Sequence, residues 1–210
     1  MRLYLASTSP ARLATLRAVG VEPILLASNV DEDAAVAAAG PVTPTEMVLL
    51  LARLKAEAVL GRTVDGSPID GFVLGGDSAF ELDGEVYGKP HLPEVARERW
   101  LLQRGREGQL HSGHWLVDHR GGVVGGATGG VSTSTVRFAA DITDEEIDAY
   151  VATGEPLEVA GAFTIDSLGA PFISEVRGDP HAVVGLSVAL LRELLREFDV
   201  SWPGLWNRAL

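Results

Sequence analysis

The sequence predicts an α/β fold, a mixed β-sheet with flanking helices. Three observations predict it. Short apolar runs alternate with helical stretches along the chain. Three of the helical stretches open on cap signals, at Ser9-Pro10, Thr43-Pro44-Thr45-Glu46 and Thr143 to Glu146. No repeat at solenoid periods breaks the alternation.

The elements follow in order. Leu3–Ala6 reads as a buried strand. Residues 10–19 read as a helix, with Pro10 at its first position and Gly20 ending it. Residues 23–27 are a second short apolar run, 29–33 an acidic loop, and 34–40 an Ala-rich stretch of ambiguous type. The capping box at Thr43 and Glu46 opens a helix reaching about Leu60, with Gly61 after it. Residues 63–71 form a polar connection. Residues 72–75 are a strand running into Gly76-Asp77-Ser78, and 81–86 a hairpin tip around Asp83-Gly84. A helix is expected from Pro93 to Arg104. Residues 114–118 and 130–138 read as strands, joined by the Gly-rich run 121–130. No helix follows that run, so it reads as a flexible hairpin connection and not as a phosphate loop. The box at Thr143 opens a helix to Val151, 172–176 is a strand, and 182–197 is a final amphipathic helix.

Composition narrows the function. The 210 residues include 46% hydrophobic ones, enough for a sizeable core. The chain has no cysteine, which excludes disulfides, thiolate metal sites and cysteine nucleophiles. The start carries one Arg and a very short apolar run, unlike a secretory signal. No run is long and apolar enough to span a membrane. A soluble cytoplasmic protein is expected. The net charge of −12 argues against a nucleic-acid surface, which needs clustered Lys and Arg. A small anionic ligand would need a local positive pocket, and the two lysines, Lys55 and Lys89, then become informative.

The start of the chain is one place for such a pocket. A strand turning into a helix N-terminus gathers free N–H groups and the positive end of the dipole. Ser7, Ser9 and Arg12, two hydroxyls and a guanidinium, add donors suited to phosphate. The same stretch also reads as an ordinary capped helix with a surface Arg. Asp77 follows an apolar run, where catalytic groups of α/β folds collect, although an Asp there is also a common turn former. Lys89, between Gly88 and Pro90, is either a phosphate contact or a solvated turn lysine. Glu32 offers a hard-cation ligand with Asp77 or a solvated charge, and Lys55 a ligand contact or a snorkelling surface chain. His111 and His114 lack zinc-site spacing. No G-x-S-x-G elbow, Walker loop or dinucleotide fingerprint is present.

Taken in order, these signals resemble one family. The set comprises Leu5-Ala-Ser-Thr-Ser-Pro-Ala-Arg12, Asp31-Glu32, Leu51-Ala-Arg-Leu-Lys-Ala56, Gly76-Asp-Ser78, Gly84-Glu-Val-Tyr-Gly-Lys-Pro90, Gly105-Arg106, Ser112-Gly113, Thr135-Val-Arg-Phe138, Gly154-Glu-Pro156, Ala160-Gly-Ala-Phe163 and Val183-Val-Gly-Leu186. Together they are similar to the Maf family of nucleoside triphosphate pyrophosphatases, over residues 3–195. The resemblance implies one domain over 1–210, inosine-triphosphatase-like, with two lobes around a nucleotide-binding cleft. It implies hydrolysis of a nucleoside triphosphate to the monophosphate and pyrophosphate with a divalent metal, Mg²⁺ or Mn²⁺, in nucleotide-pool cleansing. It implies that Ser7, Ser9, Arg12, Lys55 and Lys89 meet the phosphates, that Asp77 accepts the proton, and that Glu32 and Asp77 stand near the metal. It also suggests a homodimer.

Three positions depart from the uracil/thymine-preferring branch. Ala11 stands where the family often has a second Arg, Ser78 where many members have Thr, and Asp166 where that branch has Gln. An ionised Asp only accepts hydrogen bonds, whereas Gln both donates and accepts. Asp166 looks more like the branch acting on 7-methylguanine nucleotides. Ser187 also stands in place of the usual Pro. The rival reading is a nucleotide-binding regulator of cell division without important turnover, from the family's association with septum formation. A binder has no need of a base such as Asp77.

Overall fold

The structure is a computed structural model that describes residues 1–208. Strands β1 (Leu3–Ala6), β2 (Ile24–Leu25), β5 (Gly71–Leu82), β6 (Glu85–Tyr87), β7 (Glu107–His119), β8 (Gly126–Phe138) and β9 (Ile173–Arg177) form one sheet. They pair in the order β2-β1-β5-β7-β8-β9, with β6 on β5. β1 is parallel to β2 and β5, while β6 and β9 pair antiparallel to β5 and β8. The sheet is therefore mixed, as the alternating pattern predicts. The helices are α1 (Pro10–Ala18), α2 (Glu32–Ala39), α3 (Pro44–Glu57), α4 (Pro93–Gln103), α5 (Asp144–Ala152), α6 (Pro180–Val184) and α7 (Val188–Arg196).

The chain divides into two compact units. The first holds Met1–Asp77, Ser112–Ser132 and the described residues from Gly185 on. Alternate residues of its strands enter different clusters. Leu3, Leu5, Phe72 and Leu74 pack with Leu16, Leu116, Leu191, Leu194 and Leu195, while Tyr4, Ala6 and Val73 pack with Ala56, Val59, Ile69 and Val117. The period of two gives each strand a buried residue on both faces, so the strands read as continuous apolar runs. Near the C-terminus, Trp202 packs against the first cluster. Trp206 is exposed, with its ring beside Gly20.

The second unit holds Ser78–His111 and Thr133–Val184. Its core is aromatic. Trp100 is fully buried, and its ring meets Phe138, Tyr150 and Phe172 edge-on at 5.2–5.6 Å between centroids. Edge-to-face pairs of this kind each add about 0.5–1.5 kcal/mol beyond the area they bury. The Trp100 indole N–H donates to the Ala162 carbonyl at 2.7 Å, so burial leaves no donor stranded.

Both predicted capping boxes form, at Thr43 with Glu46 and at Thr143 with Glu146. Several elements differ from the sequence reading. The acidic loop is shortened because Asp31 caps α2, which takes in Glu32 and the Ala-rich stretch. The polar connection holds a small hairpin, β3 (Thr63–Val64) with β4 (Ser67–Pro68), turned by Asp65 and Gly66, both at positive φ. The strand expected at 72–75 continues to Leu82, so Asp77 lies inside β5 rather than after it. Half of the Gly-rich run is strand. A Cβ on Gly129 would sit 2.3 Å from the Trp115 ring, so a packing gap and not flexibility demands glycine there. The helix expected over 182–197 is two, because Gly185 takes φ 117° and Ser187 restarts the helix by accepting from the Leu190 amide.

Candidate functional site

Within the first unit, the end of β1, the first turn of α1, the start of α2, one face of α3 and the middle of β5 converge. Backbone packing makes this convergence. A Cβ on Gly75 would lie 1.9 Å from the Ala52 carbonyl oxygen, so β5 touches α3 directly. Asp77 lies two residues further on the same strand face as Gly75, and Lys55 one helical turn beyond Ala52. The ammonium of Lys55 reaches Asp77 Oδ1 at 2.6 Å and Glu32 Oε1 at 2.8 Å. Lys55 and Asp77 are both buried, whereas the Glu32 side chain is half exposed.

The start of the chain completes the group. Ser9 caps α1, its hydroxyl accepting from the Arg12 amide at 3.4 Å. Arg12 is buried. Its Nη1 donates to Ser7 Oγ at 3.1 Å and its Nε to the Gly185 carbonyl at 2.8 Å. Ser7 Oγ also accepts from the Ser9 amide at 3.2 Å. In the three of these bonds that involve Ser7 or Ser9 the hydroxyl oxygen accepts, and each O–H is itself a donor.

The electrostatics follow from burial. Burial pushes the Asp77 carboxyl above the ordinary carboxylate range, against the pull of Lys55 and Arg12. Burial also lowers the Arg12 guanidinium from its ordinary value, offset by Asp77 and Glu32. A buried carboxylate with a raised affinity for protons beside fixed cations is suited to taking a proton and to working near an anion.

The residues expected from sequence thus fall into two sets. Ser7, Ser9, Ala11, Arg12, Glu32, Lys55 and Asp77 belong to the first unit, with Ala11 half-buried on α1. Ser78, Lys89 and Asp166 belong to the second. Ser78 is the next residue of β5. Lys89 is exposed on the turn after β6, where Arg99 donates to the Gly88 carbonyl. Asp166 is exposed between two short 3-10 turns.

The sequence reading missed the parts that hold Arg12. The Gly185 carbonyl accepts its Nε, and the nearby Ser187 amide donates to His114 Nε2 at 3.0 Å. His114 Nδ1 faces the Ser112 carbonyl at 3.1 Å. The helix-breaking glycine at 185 was the available signal. His111 is engaged by Thr133 and Glu81, both at 2.9 Å.

Glu32 and Asp77 also test the expected divalent cation. Two carboxylate oxygens already converge on one positive charge, the Lys55 ammonium. Among the described residues no three His, Asp or Glu side chains cluster as a cage. One or two carboxylates together with substrate oxygens are the donors that usually hold Mg²⁺, so the chemistry of Glu32 and Asp77 fits such an ion. Among the described residues no helix is long and apolar enough to cross a membrane.

The family model described as "Maf-like protein" matches residues 2–198. A protein of Leifsonia xyli subsp. xyli, named nucleoside triphosphate pyrophosphatase, is 67% identical over all of this chain and 98% of its own length. Proteins of the same name from Salinispora tropica and Saccharopolyspora erythraea are 51% and 49% identical over 99% of this chain and 88% and 98% of theirs. The solved structure of the Staphylococcus aureus Ham1 protein aligns with 98% of this chain and 94% of its own, at 13% identity and a TM-score of 0.45.

Proposed function

We propose, since this chain belongs to the Maf-like protein family, that it hydrolyses a nucleoside triphosphate to the monophosphate and pyrophosphate with Asp77 as the base. The observation that carries the assignment of Asp77 is its burial beside Lys55, with its carboxyl held above the ordinary range. The reaction is that of the curated relatives, which are named for it.

Water is a poor nucleophile until a proton is removed. A positioned base typically contributes about 10²–10⁴-fold. Asp77 Oδ1 is engaged by Lys55, and we assign the proton to Oδ2. Arg12, Lys55, Ser7 and Ser9 bind and orient the triphosphate, and fixed donors at the developing charge need no reorganisation during the reaction. Lys89 adds a cation for the pyrophosphate portion. With Asp77 acting as the base, its Oδ1 on Lys55 and its Oδ2 taking the proton, Glu32 would be the residue that holds the divalent cation. When bound, it would supply charge neutralisation on the phosphoryl oxygens.

Ala11, Ser78 and Asp166 are assigned to base choice. Ala11 leaves room where a second Arg would add a donor. Asp166, when ionised, offers only acceptors, which suit purine N–H groups better than the carbonyl edges of uracil and thymine. UTP and dTTP are therefore not the preferred substrates. A role in cleansing the nucleotide pool, a cytoplasmic location where those pools lie, and a homodimer complete the reading. The net charge of −12 argues against nucleic acid as a partner, and Arg12 and Lys55 supply the local positive charge that a small anionic substrate needs.

The test is pyrophosphate release over standard and modified triphosphates with Mg²⁺ or Mn²⁺. Release of pyrophosphate and monophosphate in equal amounts supports the reading. Tight nucleotide binding without turnover would instead favour a regulator.

A further inference from the structure

The second unit holds a carboxylate that the mechanism does not use. Glu155 follows Gly154 at the start of a 3-10 turn and collects five donors. Its Oε1 accepts from the Tyr150 hydroxyl (2.9 Å), the Thr164 hydroxyl (2.6 Å) and the Gly169 amide (3.2 Å). Its Oε2 accepts from the Ser167 hydroxyl (2.6 Å) and the Leu168 amide (3.3 Å). Four of these donors come from residues 164–169, so one carboxylate ties both ends of that segment. Asp166 lies within it.

The rest of the segment's support is rigid. Tyr150 is buried in the aromatic core, its ring 5.2 Å from Trp100 and 5.8 Å from Phe172. A Cβ on Gly169 would come within 2.7 Å of the Tyr150 oxygen and 2.8 Å of the Thr164 carbonyl, so the returning chain has no slack. Thr164 Oγ1 in turn accepts from the Gly169 amide at 3.1 Å. Burial alone would raise the Glu155 carboxyl. The hydrogen bonds from Ser167, Thr164 and Tyr150 overcome that and hold it at about 2. The group is therefore an acceptor at every working pH, and a fixed acceptor among five donors defines one geometry.

We propose that Glu155 is a positioning residue for base selection: its carboxylate fixes the segment 164–169, and the fixed segment sets which base the enzyme prefers. The proposal rests on the reading of this segment, through Asp166, as facing the base. Exposed residues without such a tie sample many conformations and discriminate poorly.

The experiment compares wild type with Glu155→Gln and Asp166→Gln. For each, kcat/KM is measured with UTP, GTP and 7-methyl-GTP, and amide exchange is followed at Leu168 and Gly169. In Glu155→Gln an amide nitrogen replaces one carboxylate oxygen, so the two or three donors facing that oxygen lose their acceptor. The expected result is a change of about tenfold in the purine-to-pyrimidine ratio of kcat/KM, with faster exchange at both amides. A purine-to-pyrimidine ratio within about twofold of wild type, in a folded Glu155→Gln protein, overturns the proposal. If Glu155→Gln does not fold, the double variant Thr164→Ala/Ser167→Ala removes two of the donors and must move the ratio in its place. A shift with Glu155→Gln but none with Asp166→Gln supports the proposal and removes Asp166 from base choice. A shift with Asp166→Gln alone does the reverse.

Discussion

Two carboxylates in this molecule have opposite chemistry. Asp77 in the first unit is buried beside cations and is pushed above the ordinary carboxylate range. Glu155 in the second accepts five hydrogen bonds and is held at about 2. Burial raises both, but Asp77 is buried whereas Glu155 is only half-buried. The count of donors separates them further. A carboxylate saturated with N–H and O–H donors has given away the affinity that a base needs, and its use is to hold a shape. A buried carboxylate with one described hydrogen-bond donor, Lys55, keeps that affinity for a proton.

The comparison breaks most directly on activity. Asp77→Asn should retain the fold and cut turnover by at least about a hundredfold. Steady-state kinetics on a protein with unchanged circular dichroism would check this. Next in size is Gly75→Ala. The added Cβ would collide with the Ala52 carbonyl, and overpacking of this kind costs about 1–3 kcal/mol or more. It should lower Tm and, by parting β5 from α3, also lower turnover. A variant with wild-type Tm would mean that the strand and helix do not touch.

Stability should then separate the two carboxylates by sign. A carboxyl raised in the folded state favours the protonated protein, so its contribution falls as pH rises from the ordinary value through the raised one. At neutral pH, Asp77→Asn relieves the cost of the buried carboxylate but leaves the buried Lys55 ammonium with Glu32 alone, so Tm should change little. A carboxyl depressed in the folded state contributes stability above the ordinary value of 4.5 and loses it as pH falls towards about 2. Glu155→Gln should therefore lower Tm at neutral pH and flatten the acid limb below 4.5. Thermal melts across pH would show it, and equal shifts for both variants would erase the distinction drawn between them. Smaller effects follow for the ligand. Lys89→Ala should weaken triphosphate binding more than monophosphate binding in calorimetry, because most of the charge it meets is on the pyrophosphate portion. Equal losses would place Lys89 elsewhere.

Much of this was legible in the sequence because it rests on local rules. Thr43 with Glu46 and Thr143 with Glu146 are each read from one short local motif, and both boxes form. The ordered motifs pointed to the family that the comparisons show. What was misread depends on distant packing. Gly75 and Gly76 looked like the end of a strand, yet β5 continues because Gly75 lets the Ala52 carbonyl approach. Gly185 looked tolerable inside a helix, yet it ends α6 and gives its carbonyl to Arg12, 173 residues away. Glu155 was visible only as part of a short motif, because its donors come from a segment that folds back onto it. A glycine announces a special backbone; it does not say which neighbour requires it.

The most direct measurement is pyrophosphate release as a function of pH, with one good triphosphate substrate, for wild type and Asp77→Asn. The account predicts that wild-type kcat/KM falls as pH is lowered through a value above the ordinary carboxylate 3.8, with monophosphate and pyrophosphate as products. It predicts that Asp77→Asn loses this acid limb together with at least about a hundredfold in rate. An Asp77→Asn protein that keeps both the rate and the limb, or a wild-type protein that releases orthophosphate, would contradict it.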